Sequence, residues 1–144
     1  MAFTLNTSVL RTPTGILKIV ESVLVFIVLM VARFGKRDYH MFGPFNEDNS
    51  FLGQGIGVGY AIIVPSVLVT YLLGANLSIL EWFINLIGGL LFIIVGAVTI
   101  TGWSKYLSST NGYSAGMALG SICIITGIVF LIDFVFSIKN IRSK

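Results

Sequence analysis

Charge is scarce in this chain. Only 10% of its 144 residues are charged, whereas 56% are apolar, and the mean hydropathy is +0.95. Soluble domains carry about 25% charged residues, so too little polar surface is present to cover a soluble core. An intrinsically disordered chain is also excluded, because it needs low hydrophobicity and high net charge. The composition therefore predicts an integral membrane protein.

Cysteine and histidine each occur once, as Cys123 and His40. A single cysteine cannot form an intrachain disulfide, which excludes a disulfide-stabilised ectodomain. A single histidine cannot supply a histidine-pair metal site, and the sequence has no HExxH, GxSxG or phosphate-loop motif. The nine lysines and arginines do not form one patch, which argues against nucleic-acid binding. We therefore predict no catalytic residues, no metal site, no cofactor and no nucleic-acid partner.

Four apolar stretches are long enough to cross a bilayer, which takes roughly 17–25 residues. These spans lie at about residues 15–34, 52–73, 81–103 and 116–138. Short connections favour antiparallel neighbours. The expected fold is an all-α, up-down-up-down four-helix membrane bundle that forms a single domain over residues 1–144, in contact with the lipid bilayer.

The orientation is predicted from lysine and arginine residues near the span ends, which are enriched on the cytosolic side. The side with both termini has five of them: Arg11, Lys18, Lys139, Arg142 and Lys144. The opposite side has four: Arg33, Lys36, Arg37 and Lys105. We expect both termini to be cytosolic.

Two tryptophans bracket the third span, Trp82 at its start and Trp103 at its end. Amphipathic indole rings favour the boundary between lipid and water. Both residues are predicted to be interface anchors.

Glycines recur at spacings that place them on shared helix faces. Gly53/Gly57 and Gly55/Gly59 form two overlapping small-xxx-small pairs in span two. Further small positions are Gly88 and Gly89 in span three and Gly116 and Gly120 in span four. Such positions let helices approach closely. Two interpretations stay open: packing within the chain, or lateral contact of spans two and four with other membrane proteins or with a second copy.

Two carboxylates lie inside the spans at a similar depth. At 1.5 Å per residue, Glu21 and Asp133 are roughly 9 and 8 Å from the same membrane side. Intramembrane acids normally face a partner or a cavity, and Lys18 can pair with both. The structural interpretation is a polar clamp of Lys18, Glu21 and Asp133 between helices. The alternative is an ion- or proton-translocating subunit, proteolipid-like or channel-like, that uses Glu21 and Asp133.

Spans three and four carry a resemblance to a known family. Gly116-Met117-Ala118-Leu119-Gly120, continuing to Asp133, resembles the last helix of insect snakeskin proteins, and Asn85-Leu86-Ile87-Gly88 is similar to their third span. The four-span plan also resembles the MARVEL-type architecture. The resemblance implies a non-enzymatic component of the smooth septate junction, at the lateral plasma membrane of epithelia. It also implies a role in sealing the space between cells, with a tetraspanin and a large single-span adhesion protein as partners.

Overall fold

The computed structural model describes residues 4–35, 40–43, 46–106, 109 and 111–143. A short 3₁₀ turn at Thr7–Arg11 precedes four long helices: α1 (Pro13–Phe34), α2 (Glu47–Leu72), α3 (Ser78–Ser104) and α4 (Tyr113–Arg142). Each helix is long and apolar enough to cross a membrane. No strand occurs in the part of the chain described. The predicted all-α four-helix membrane bundle is confirmed.

Two helices, α1 and α2, begin before their predicted spans with a polar side chain that caps the first turn. The Asn46 side chain accepts hydrogen bonds from the backbone N–H groups of Asp48 (3.0 Å) and Asn49 (3.4 Å) at the start of α2. Thr12 accepts one from Gly15, at 3.1 Å, at the start of α1. Such caps satisfy N–H groups that have no partner within the helix. As a result α2 begins at Glu47, five residues before its apolar stretch.

Each helix packs beside its neighbours in the sequence, and α4 returns to α1. The contact between α3 and α4 is the most extensive. Among the described residues, the backbones of the diagonal pairs α1/α3 and α2/α4 do not approach within 8 Å. The four helices therefore form a closed ring. We call the end with the starts of α1 and α3 the terminal end, and the opposite end the loop end.

Glycines bring α3 and α4 into backbone contact. A Cβ atom on Gly96 would lie 2.6 Å from the carbonyl oxygen of Gly120, and one on Gly127 would lie 2.7 Å from that of Gly89. Real side-chain atoms cannot approach so closely. Since lipid provides little hydrophobic drive between helices, close packing supplies dispersion contacts instead. These four glycines are the α3–α4 seam.

The middle of the bundle is apolar. Its buried apolar side chains include, from all four helices, Val25, Val28, Val64, Phe92, Leu119, Cys123 and Phe130, which we call the apolar layer. Thr126 is also buried there, and its hydroxyl donates to the Ile122 carbonyl of the same helix at 2.7 Å. Tyr60 packs its ring edge-on against Phe92 and Phe130, at centroid distances of 5.5 and 5.3 Å. Its hydroxyl donates to the carbonyl of Ile84, so its polar atom is satisfied. The interior between the two ends is thus filled with side chains.

The loop between α1 and α2 folds into the loop end. Met41 and Phe42 are buried there. The Trp103 indole N–H donates to the Met41 carbonyl at 2.7 Å, and the Thr99 hydroxyl donates to the Phe42 carbonyl at 3.2 Å. The absence of a side chain at Gly116 leaves room for the Trp103 ring. This segment closes the loop end.

Trp103 therefore differs from the expectation of an interface anchor. It is fully buried, because its N–H group binds the loop backbone instead of water at the membrane boundary. Trp82 is half-buried, with its ring against Phe83 and Phe134. Its role as an anchor stays a prediction. The orientation also stays a prediction, and Lys36, Arg37 and Lys144 lie outside the described residues.

Substituting Trp103→Phe is expected to lower the free energy of unfolding by about 1–2 kcal/mol, because the buried Met41 carbonyl loses its donor. The measurement is unfolding of the purified protein in detergent micelles. Trp82→Phe is the control and should change stability by less than about 0.5 kcal/mol. Equal losses for both variants would contradict the role of the indole hydrogen bond.

Candidate functional site

Polar side chains from three helices meet inside the terminal end of the bundle. The members of this polar cluster are Lys18 and Glu21 from α1, Glu81 and Asn85 from α3, and Asp133 from α4. Glu81 is 5% exposed and the other four are fully buried. Each residue lies on the inner face of a helix that is otherwise mostly apolar.

Lys18 lies at the centre of the polar cluster. Its ammonium donates to Glu21 Oε2 at 2.7 Å, to Asn85 Oδ1 at 2.6 Å and to Asp133 Oδ2. An ammonium has three N–H donors, so all three are used. Glu81 Oε1 lies 3.6 Å from the Lys18 nitrogen. One lysine therefore links α1 with α3 and α4.

Neighbouring polar groups hold the carboxylates in place. The Asn85 amide donates to Asp133 Oδ2 at 3.0 Å and to the Ser137 hydroxyl at 3.4 Å. The Tyr71 hydroxyl donates to Glu81 Oε2. The structure thus brings Lys18, Glu21 and Asp133 together, as the clamp interpretation expected.

Asn85 and Tyr71 were not assigned to the site from the sequence. Asn85 lies four residues after Glu81 and therefore on the same face of α3. Asn85 is a polar residue in a stretch without charged residues, and this signal could have assigned it to the polar cluster. Tyr71, near the end of α2, had no such signal, because a tyrosine near a membrane boundary ordinarily suggests an anchor.

Carboxyl groups outnumber ammonium groups in the cluster. Three carboxylates surround one ammonium. One oxygen of each carboxylate accepts no hydrogen bond from the described residues: Glu21 Oε1, Glu81 Oε1 and Asp133 Oδ1. Buried polar atoms are usually hydrogen-bonded. These three oxygens have unused capacity to accept.

A cavity of about 410 Å³ opens at the terminal end and reaches the polar cluster. Glu81, Tyr71 and Ser137 belong to its wall. The rest of the wall includes Val9, Gly74 and Ala75. Its other residues carry hydroxyl or amide groups: Asn6, Thr12, Thr14, Asn76, Ser78, Asn140 and Ser143. Glu81 is therefore the carboxylate through which the cavity and the cluster meet.

Most of the glycines singled out from the sequence face neighbouring helices or the buried loop. A Cβ atom on Gly57 would meet Leu29 at 2.9 Å, and one on Gly53 would overlap the Phe42 ring. The other internal contacts are Gly88 with Tyr60, Gly89 with Leu131, Gly116 with Trp103 and Gly120 with Ile100. Of the two interpretations left open for the span-four glycines, the structure shows packing within the chain at Gly116 and Gly120, because α3 covers both.

Gly55 and Gly59 are different. A Cβ atom on either would meet nothing within 4 Å. Both point away from the bundle on the face of α2 opposite Gly53 and Gly57. Large apolar side chains flank them, with Val58 51% and Ile62 65% exposed. This Gly55–Gly59 face is unpaired within the described chain.

Comparison with known proteins extends the resemblance to nearly the whole chain. The chain is 28% identical to Protein snakeskin of Bombyx mori over 154 aligned positions, which cover 95% of this chain and 98% of the relative. It is 25% identical to Protein snakeskin of Drosophila melanogaster over 101 positions, which cover 64% of this chain and 62% of the relative. No family model and no solved structure matches the chain. The resemblance seen in spans three and four is confirmed.

Proposed function

Because this chain is a snakeskin-like four-span membrane protein, we propose that it is a non-enzymatic structural component of smooth septate junctions. It assembles laterally with other membrane proteins at the lateral plasma membrane of epithelia and supports the paracellular barrier. Both termini lie in the cytosol. The similarity to Protein snakeskin across 95% of the chain carries the proposal. The partner classes, a tetraspanin and a single-span adhesion protein, come from the resemblance.

The Gly55–Gly59 face is the part of the chain best suited to bind a partner helix. At the α3–α4 seam, glycine pairs allow the backbones of two helices to come into contact. On α2 the same pattern is left uncovered at Gly55 and Gly59. A transmembrane helix with small residues could approach this backbone closely and gain dispersion contacts. We propose that a helix of another membrane protein occupies the Gly55–Gly59 face. The competing occupant is a second copy of this chain.

The alternative of ion translocation is not favoured by the comparisons. The arrangement of polar groups also gives it no support. The polar cluster is confined to the terminal end, whereas the apolar layer follows it toward the loop end. Beyond that layer, Met41 and Phe42 are buried against α2 and α3. Glu21 and Asp133 serve the proposed structural role by holding α1 and α4 together through Lys18.

Replacing Gly55 and Gly59 together with leucine is expected to reduce partner capture at least tenfold without affecting membrane insertion. Two leucine side chains would keep the partner helix from the α2 backbone, whereas the bundle has open space at both positions. The measurement is quantitative co-purification from epithelial membranes, together with junction localisation and paracellular tracer flux.

Ala97→Leu is the matched control, because Ala97 is a small, exposed residue on α3. It should leave capture, localisation and tracer flux unchanged. If the double leucine variant retained capture within about twofold of the native chain, the assignment of the Gly55–Gly59 face would be wrong. If partner capture persisted but never included a junction protein, the proposed junction role would fail instead.

A further inference from the structure

We propose that the cavity at the terminal end binds a primary ammonium group, carried by a small soluble amine or by an aminophospholipid headgroup. The proposal goes beyond the role in lateral assembly and does not depend on it. It concerns the polar cluster and the cavity that opens onto it, whereas the proposed partner interface lies on the outer face of α2.

The composition of the polar cluster favours a cation. Glu21, Glu81 and Asp133 share the single ammonium of Lys18. Coulombic interactions are strengthened away from bulk water. A cation that reaches the cluster therefore meets three carboxyl groups that share one ammonium, and Glu81 is the one of them in the cavity wall.

The cavity wall also has unused capacity to accept hydrogen bonds. Glu81 is only 5% exposed, and its Oε1 atom, 3.6 Å from the Lys18 nitrogen, accepts no hydrogen bond from the described residues. The oxygens of Tyr71 and Ser137, in the same wall, can each accept a further hydrogen bond. An ammonium group offers three N–H donors, which matches one carboxylate and two hydroxyl oxygens.

The lining of the cavity limits which cations it suits. Among the residues that the structure describes, no group of three or more histidine, cysteine, aspartate or glutamate side chains could hold a metal ion. Quaternary ammonium groups are recognised by cages of aromatic rings, whereas Tyr71 is the one aromatic residue of the described cavity lining. Hydroxyl and amide groups dominate instead. This lining favours a cation that donates hydrogen bonds.

The cavity also lies at a depth that an amine can reach. The cavity is lined by residues from the start of α1, the end of α2, the start of α3 and the end of α4. Helix ends of a membrane bundle lie where hydrocarbon gives way to headgroups and water. Both a dissolved amine and a lipid headgroup can reach this depth.

The test uses the purified full chain in nanodiscs made of phosphatidylcholine alone. Ethanolamine and choline are titrated as chloride salts at equal ionic strength, and the apparent melting temperature is followed. Ethanolamine should raise it in a saturable manner, because a ligand bound to the folded state stabilises that state. Choline has the same charge but no N–H donors, and it should have no such effect. Equal responses to both salts, or no response to either, would overturn the proposal.

Two variants locate the binding site. Glu81→Gln should weaken the response to ethanolamine at least tenfold, whereas Glu47→Gln, at the exposed start of α2 near the loop end, should leave it unchanged. Because Glu81→Gln can also impair folding, Asn140→Leu provides an independent variant at the exposed mouth of the cavity. A native response in a folded Glu81→Gln or Asn140→Leu variant would refute the site.

A second set of nanodiscs separates the two sources of the ammonium. Phosphatidylethanolamine replaces part of the phosphatidylcholine, with no soluble amine added. If this lipid raises the melting temperature and weakens the response to ethanolamine, the headgroup is the ligand. If only dissolved ethanolamine acts, the site takes a free amine. The absence of both effects would reject ammonium binding altogether.

Discussion

Replacing Lys18 with methionine should lower the free energy of unfolding by about 3–5 kcal/mol, the effect of removing one partner from a buried ion pair. Lys18 is fully buried and donates to Glu21, Asn85 and Asp133. Methionine keeps much of the apolar stem but removes the charge. Two fully buried carboxylates then lose the donor between them, in an environment where unpaired charge is costly.

The measurement is reversible unfolding in mixed micelles, and Lys139→Met is the matched control. Lys139 lies in the last turn of α4, on the same side of the membrane, but its side chain is exposed. Its replacement should cost less than about 1 kcal/mol. A loss at Lys18 no larger than at Lys139 would mean that the ammonium does not hold the cluster together.

A second substitution separates unpaired charge from lost packing. Lys18→Met combined with Asp133→Asn removes a negative charge together with the positive one. This double variant should be more stable than Lys18→Met alone, because it leaves fewer unpaired buried charges. If it were no more stable than Lys18→Met, unpaired charge on Asp133 would not account for the loss at Lys18.

The sequence predicted the membrane spans and part of the polar cluster because both depend on local properties. Hydropathy over about 20 residues finds the helices, and counting residues along each span places Glu21 and Asp133 at one depth. The first residues of the helices were harder to predict from the sequence. The side chain of Asn46 extends α2 back to Glu47, and hydropathy does not register a hydrogen-bonded cap.

The rest of the site depends on how helices face one another. Glu81 lies in the first turn of α3, where the helix dipole alone is enough to favour an acid. It joins the cluster because α3 turns that face inward and Tyr71 from α2 meets it. Trp103 is buried because a loop distant in sequence folds back over it. Neither contact follows from spacing along one helix.

The same limitation applies to the glycines of α2. Their spacing correctly places Gly53 with Gly57 and Gly55 with Gly59 on two separate faces. It cannot show which pair is covered. Phe42 and Leu29 decide this, because they occupy the space beside Gly53 and Gly57 and leave the other pair open.

Replacing Gly96 with leucine is expected to destabilise the bundle by about 3 kcal/mol, the upper part of the usual range for overpacking. Its Cβ atom alone would lie 2.6 Å from the Gly120 carbonyl oxygen and 3.0 Å from the Ile124 backbone nitrogen. These are backbone atoms, so relief requires α4 to move away from α3. That movement would also separate Gly89 from Gly127 and weaken the whole seam.

Gly59→Leu supplies the matched control, with the same residue type and the same added side chain. It should leave the unfolding free energy within about 0.5 kcal/mol of the native value, because the added side chain enters open space. Both variants are measured by unfolding in mixed micelles at several protein concentrations. If Gly59→Leu were also strongly destabilising, and more so in concentrated protein, the outer face of α2 would be covered by a second copy. The partner on the Gly55–Gly59 face would then be this chain itself and not another membrane protein.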